Sequence, residues 1–344
     1  MDLEKYMHRC LQLAKNGLGR VAPNPMVGSV IVHNGKIIGE GYHQKFGENH
    51  AEVNAIQSVK NRELLKESTI FVSLEPCSHQ GKTPPCADLI VAHKIPKVVI
   101  AMRDPNPKVS GRGIDKLREA GIAVTEGICE KEAAFLNRRF ITHQNKNRPY
   151  IILKWAQSED GFMDRIRSEN SERKINWISH PATKKLVHQW RSEEQAILVG
   201  RNTIANDNPK LDTREVDGSS PLRVVLSLSG NLPANSRVIT DGNPTLIFNQ
   251  TIGKVEGAAK WIKLDDDFLS GVMAHLSERG ISSVLVEGGS QTLHSFLNAN
   301  LWDEARIIQS QTRLLAGLKA PKIHLPKGET QSYGQDRITR IYNA

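Results

Sequence analysis

The chain has 344 residues, 39% of them hydrophobic and 24% charged, with a formal net charge of +9. That is a globular composition; it excludes collagen-like, coiled-coil and disordered classes, and the length suits two domains of roughly 150 residues each. No apolar run of about 18 residues occurs, and the charged start MDLEKYMHRC lacks a secretory h-region, so a cytoplasmic protein with no membrane partner is expected. Four cysteines are too few for a disulfide scaffold. The basic excess is diffuse and aromatics make up only 5% of residues, which argues against a base-stacking surface and a nucleic-acid partner.

In chain order, Leu3, Met7, Leu11 and Ala14 repeat at helical spacing over residues 3–15. Val27–Val32 and Lys36–Tyr42 read as strands around Asn34-Gly35, a pair that supplies φ > 0 at both positions of a hairpin turn. A helix is expected from Ala51 to Leu65, a strand at Thr69–Leu74, and a short helix at Cys86–His93. A strand at Lys97–Met102, a helix at Ile114–Ala120 and a strand at Ile122–Glu126 follow. Strands alternating with helices imply a sheet covered on both faces, a three-layer α/β/α domain.

A helix ends near Phe140, and the polar stretch His143–Pro149 reads as the linker, dividing the chain into residues 1–146 and 147–344. Beyond it, strands are expected at Tyr150–Trp155, Ala196–Gly200, Leu222–Ser227, Thr245–Asn249 and Ser283–Val286. Helices are expected at Pro181–Arg191, Asp266–Arg279 and Gln291–Ala299. The second half is a second α/β domain.

His50-Ala51-Glu52 opens a helix, while Pro76-Cys77 and Pro85-Cys86 follow a strand. One imidazole and two thiolates give zinc three ligands and leave the fourth tetrahedral position for water, the catalytic pattern. At a helix start Glu52 and His50 can share one pocket, and a carboxylate there can carry the proton that a zinc deaminase must move.

His50-Ala-Glu52 with Pro76-Cys77 resembles the cytidine deaminase-like superfamily, whose general pattern puts the second cysteine three residues after the first. Here Cys86 comes nine after Cys77. That longer loop, with Ala22-Pro-Asn24-Pro-Met-Val-Gly28, resembles the bifunctional deaminase–reductase family of riboflavin biosynthesis. The resemblance implies that His50, Cys77 and Cys86 hold one Zn²⁺ per chain, that Glu52 is catalytic, and that Asn24 meets the pyrimidine. Lys82, in the loop, is a candidate for the substrate phosphate.

In the second half, Glu287-Gly288-Gly289 ends a strand and opens a helix, where glycines and free N–H groups suit a phosphate. Two more polar clusters follow strands, at Lys154–Gly161 and Gly200–Arg214, and open α/β sheets bind ligands at such ends. No GxGxxG Rossmann fingerprint is present. This half resembles the family's reductase domain, which implies a dihydrofolate reductase-like fold and NADPH as hydride donor. Carried over, Ala156, Trp177, Thr203, Asp207 and Gly289, Ser290, Gln291, Thr292, Leu293, His294 and Ser295 would meet the cofactor. Arg191, Leu211, Arg214 and Glu287 would meet the substrate, with Lys154 polarising it near the reacting carbon. A guanidinium can fork onto a phosphate as lysine cannot.

The chain departs from the family in a long charged stretch between Gly161 and Trp177. Ile175 stands where a small polar residue is usual, and Leu228 where a serine meets the cofactor. The resemblance covers nearly the whole chain. It implies a phosphoribosyl pyrimidine that is first deaminated and then reduced along its ribosyl chain, and a homodimer built through the reductase half. A deaminase with a non-reducing second domain, a nucleic-acid base deaminase and a zinc-stabilised scaffold are the alternatives.

Overall fold

Residues 2–78, 84–106, 110–167, 175–265, 267–323 and 328–343 are described by the computed structural model. They divide into two units, Met1–Asn147 and Arg148–Ala344. No helix among the described residues is long and apolar enough to cross a membrane.

The first unit carries strands β1 (Gly28–His33), β2 (Lys36–Tyr42), β3 (Thr69–Val72), β4 (Lys97–Ile100) and β5 (Ala123–Thr125), in the order β2-β1-β3-β4-β5. β1 is antiparallel to both neighbours, and β3, β4 and β5 are parallel. Asn34 and Gly35 turn the hairpin with φ of 48° and 75°. The helices are α1 (Leu3–Ala14), α2 (Ala51–Ser58), α3 (Cys86–Ala92), α4 (Arg112–Glu119), α5 (Glu130–Leu136) and α6 (Arg138–Lys146). Asp2 caps α1 by accepting the N–H of Lys5 at 3.1 Å.

Side-chain alternation along the strands sends Ile31, Ile70 and Val72 to one face, where Ile56, Ile90 and Leu117 of α2, α3 and α4 cover them. Val30, Val32 and Phe71 point the other way, against Met7 and Leu11 of α1 and Ala133 of α5. The result is the expected three-layer arrangement. Gly41 lets α2 lie directly on β2, because a Cβ there would stand 2.3 Å from the Ala55 nitrogen.

Two expectations need correction here. The helix from Ala51 stops at Ser58, and residues 62–67 form a separate 3₁₀ turn started by Asn61, whose side chain accepts the N–H of Glu63 at 3.2 Å. The expected linker is helical through Lys146, and α6 ends where Asn147 turns left-handed at φ 49°.

The second unit is built on ten strands in the order β11-β12-β10-β9-β8-β13-β6-β14-β17-β16. They are β6 (Tyr150–Gln157), β8 (Ala196–Gly200), β9 (Leu222–Leu226), β10 (Thr245–Asn249), β11 (Lys254–Glu256), β12 (Ala259–Lys263), β13 (Ser283–Val286), β14 (Glu304–Gln309), β16 (Glu329–Tyr333) and β17 (Asp336–Tyr342). β7 (Phe162–Asp164) and β15 (Leu318–Lys319) pair separately. The central strands from β12 to β14 are parallel, and antiparallel strands close both ends.

Helices α7 (Pro181–Glu193), α8 (Arg201–Asp207), α9 (Arg237–Thr240), α10 (Phe268–Glu278) and α11 (Ser290–Asn298) flank the sheet. Ile151, Leu153, Val284 and Val286 pack on Val272, Leu276 and Phe296 of α10 and α11. Ile152 and Leu285 face Leu186 and Trp190 of α7 on the other side.

Sequence patterning missed β7, β11, β12 and β14 to β17; of these β14 lies inside the sheet, between β6 and β17, and its own residues hide it. Buried charge is the reason: Glu304 and Arg306 are 0% and 3% exposed. Arg306 Nε donates to Glu304 Oε1 at 2.7 Å, and its Nη2 to Glu194 Oε1 at 3.4 Å. Paired charges can be buried where a lone one cannot, and they erase the apolar pattern of a strand.

Candidate functional site

In the first unit, loops at one end of the sheet gather the metal-type donors. His50 precedes α2 in an extended conformation and caps no backbone N–H, so its ring is free to serve elsewhere. Cys77 follows β3, and Cys86 is the first residue of α3. His50 Nδ1 lies 3.6 Å from Cys77 Sγ and 3.4 Å from Cys86 Sγ, and the three ligand atoms all lie within 4.8 Å of one another. With Zn–S of about 2.3 Å and Zn–N of about 2.0–2.1 Å, a tetrahedral N···S edge is roughly 3.6 Å. The donor set fits zinc in chemistry and in size.

Local electrostatics favour thiolate at Cys77, while the hydrogen bond with Cys77 and burial push the Cys86 thiol up. The Cys86 backbone N–H donates to Cys77 Sγ at 3.3 Å, and hydrogen bonding from Cys86 and His50 holds the Cys77 thiol well below its ordinary range. Glu52, in the first turn of α2, is 3% exposed. Burial, reinforced by the Cys77 sulfur, pushes its carboxyl up to about 7. A carboxyl near neutrality beside a metal site is suited to moving protons.

Asn24 reaches this cluster through a residue the sequence did not single out. Its Nδ2 lies 3.2 Å from His43 Nε2, while His43 Nδ1 lies 3.0 Å from the Asn49 carbonyl. A carbonyl only accepts, so Nδ1 carries the proton and Nε2 accepts from Asn24. The His43 ring stands edge-on to that of His50, with centroids 5.5 Å apart. Lys82 lies outside the described residues.

The second unit contains a cavity of about 1340 Å³. Lys154, Ala156, Arg191, Leu211, Arg214 and Glu287 line it, as do Trp177, Thr203 and Asp207. Gly289, Ser290, Gln291, Thr292, His294 and Ser295 supply the wall where α11 begins. Leu293 departs from the expected set: it is 0% exposed, and its side chain belongs to the core. Ile175 and Leu228, the two departures from the family, also line the cavity. Lys154 and Ala156 sit two apart within β6, a strand longer at its end than expected.

Charge in this cavity is tightly paired. Arg191 Nε and Nη2 donate to Glu287 Oε1 and Oε2, each at 2.8 Å, and Nη1 donates to the Asp212 carbonyl at 3.1 Å. The fork expected to meet phosphate is therefore occupied by Glu287. Lys154 Nζ lies 3.6 Å from the same carboxylate. Burial lowers the Lys154 pKa, with Arg191 adding to it and Glu287 opposing. Arg214 pairs with Asp212 and keeps 38% of its side chain exposed. Asp207 accepts from Arg167 Nη2 at 3.1 Å, and burial raises its pKa.

Residues 1–102 match the cytidine and deoxycytidylate deaminase zinc-binding region, and residues 149–314 match the RibD C-terminal domain. The riboflavin biosynthesis protein RibD of Aquifex aeolicus is 40% identical over 307 residues, covering 87% of this chain and 84% of that protein. That of Bacillus amyloliquefaciens is 40% identical over 331 residues, covering 93% and 87%. The chain belongs to the RibD family.

The solved structure of a diaminohydroxyphosphoribosylaminopyrimidine deaminase/5-amino-6-(5-phosphoribosylamino)uracil reductase from Thermotoga maritima is similar with a TM-score of 0.88. It is 37% identical, with 99% of each chain covered. Membership of the RibD family makes this chain a bifunctional riboflavin biosynthesis enzyme, a deaminase and a reductase.

Sequence reasoning overlooked three residues beside these RibD sites. His43 carried no signal beyond a histidine after a strand. Glu75 precedes the Pro76-Cys77 motif, and its carboxylate accepts backbone N–H groups of Asp104, Gly111, Gly113 and Ile114 at 2.9–3.4 Å. His188 lines the second cavity from α7, three residues before Arg191.

Proposed function

We propose that the chain performs two successive steps on one phosphoribosyl pyrimidine. The first unit removes the 2-amino group of 2,5-diamino-6-(5-phosphoribosylamino)pyrimidin-4(3H)-one by hydrolysis, releasing ammonia. The second reduces the ribosyl chain of the product with NADPH, giving 5-amino-6-(5-phosphoribitylamino)uracil. The observation that carries this reading is the His50, Cys77 and Cys86 triangle beside the buried Glu52.

His50, Cys77 and Cys86 would hold one zinc ion. When bound, zinc acts as a Lewis acid that makes water nucleophilic at neutral pH. Glu52 takes a proton from the attacking water and gives it to the ring nitrogen, then takes a second proton from the hydroxyl on the attacked carbon and gives it to the departing amine. Asn24, oriented by His43, offers its amide to the pyrimidine.

In the second unit, Ala156, Trp177, Thr203, Asp207 and the opening of α11 would hold the dinucleotide. α11 starts at Ser290, and Gly289 before it provides no side-chain cap, which suits a phosphate at the N-terminus. NADPH supplies the hydride, so protein groups need only orient it and the sugar. Lys154, held beside Glu287, polarises the reacting carbon's neighbour, and Leu211 and Arg214 bound the substrate end. Pairing of two chains through this unit and a cytoplasmic site of action belong to the same reading; sedimentation measures the first and fractionation the second.

The test incubates zinc-replete protein with the diaminopyrimidine ribotide, with and without NADPH, and identifies products by mass. Exchange of amino for oxo without NADPH, then addition of two hydrogens with it, is the expected sequence. Deamination alone under both conditions favours a non-reducing second unit.

A further inference from the structure

The His188 imidazole lines the second-unit cavity, and nothing in the mechanism above employs it. It is 2% exposed, on the inward face of α7. Its Nδ1 accepts the backbone N–H of Arg214 at 3.3 Å. A backbone amide only donates, so Nδ1 carries no proton and the neutral ring keeps its hydrogen on Nε2. Among the described residues Nε2 has no hydrogen-bond partner, and it is not one of the sealed-off polar atoms of the interior. A buried side chain thus turns its one remaining donor, unmatched within the described protein, to the cavity, where water or a ligand can meet it.

The groups that face this ring are Arg191 on its own helix and Arg214, Asp212 and Glu215 on the segment packed against it. Burial, followed by the two guanidiniums, drives the imidazole down to about 4, so the ring is neutral at physiological pH. Lys184, with 36% of its side chain exposed, and Arg214, with 38%, line the same cavity. Lys184 is paired with Glu215 and Arg214 with Asp212, and the fork of Arg191 is already filled by Glu287.

We propose that His188 is a further substrate-binding residue of the reductase site, donating its Nε2–H to a phosphate oxygen of the phosphoribosyl chain. This rests on the reductase reading above. A neutral, fixed donor adds direction to the charge attraction that Lys184 and Arg214 offer a phosphate, since its hydrogen bond has one geometry.

The test compares H188N and H188Q in the full-length zinc-replete enzyme, using the uracil ribotide and NADPH. Asparagine places an oxygen near the old Nδ1 position, keeping the acceptor for Arg214 while removing the outer donor. Glutamine extends an amide N–H toward the old Nε2 position. H188N is expected to raise the KM for the ribotide by about 10- to 100-fold. The KM for NADPH stays unchanged, and H188Q recovers most of the loss. With the unphosphorylated ribosyl substrate, wild type and H188N converge.

An unchanged ribotide KM in H188N overturns the proposal. So does an equal penalty on the unphosphorylated substrate, or equal losses in both variants together with lowered melting temperatures. Failure of the wild type to reduce the ribotide removes the underlying reading, and is seen before any variant is made.

Discussion

Arg191 and Glu287 meet as a two-pronged pair, Nε on Oε1 and Nη2 on Oε2, both at 2.8 Å. Arg191 comes from the last turn of α7 and Glu287 follows β13, so the pair ties a helix to the sheet beside the cavity. Lys154 of β6 joins them at 3.6 Å. Burial by itself raises the pKa of Glu287; Arg191 and Lys154 reverse that and hold it at about 2.

Stability below pH 5 reports on that carboxylate. Its folded pKa lies below the ordinary 4.5, so its contribution is fully present above about pH 4.5 and is lost as pH falls toward about 2. The shift corresponds to roughly 3 kcal/mol at neutral pH. Urea unfolding of wild type and E287Q should show a stability gap that shrinks between pH 6 and pH 3. A gap that does not change with pH contradicts the pairing.

Zinc and deamination should rise and fall together. C77A is expected to lose bound zinc, measured by elemental analysis, and to lose ammonia release. NADPH oxidation on the uracil ribotide should continue, because the reductase cavity is lined by residues of the second unit. Chelation of the wild type should reproduce the pattern, and zinc addition reverse it.

E52Q separates metal binding from proton movement. The variant keeps all three donors and should keep its zinc, while deamination falls by about 10²- to 10⁴-fold, the usual worth of a general acid–base. Reduction should be unaffected. Deamination at the wild-type rate would remove Glu52 from the chemistry.

Glu75, two residues before Cys77, ties the chain after β3 to the segment that opens α4. Its two oxygens accept four backbone N–H groups around the start of α4, and the residue is 4% exposed. E75A leaves those donors unmet in a buried site and should cost about 3 kcal/mol. Zinc affinity should weaken with it, since Cys77 lies two residues on. Thermal unfolding and competition with a zinc chelator measure the two effects; an unaltered melting temperature would make the contacts incidental.

The deaminase chemistry was legible in the residues because a zinc site demands particular side chains at helix and strand ends, and such ends are marked by local signals. His50 before α2 and Cys86 at the start of α3 are of that kind. The regular strands were legible too, since β1, β3, β8 and β13 bury apolar residues and show it.

Tertiary structure alone decided the rest, where charged side chains are buried against partners far away in sequence. Arg191 and Glu287 are 96 residues apart, and Arg306 and Glu194 are 112 apart. Neither pairing leaves a periodic trace. Arg306 concealed a central strand in this way, and Glu287 took the fork that chemistry by itself would have given to a phosphate. His43 and His188 were hidden for the same reason: what a histidine does depends on which group holds its other nitrogen, and only the folded chain brings that group near.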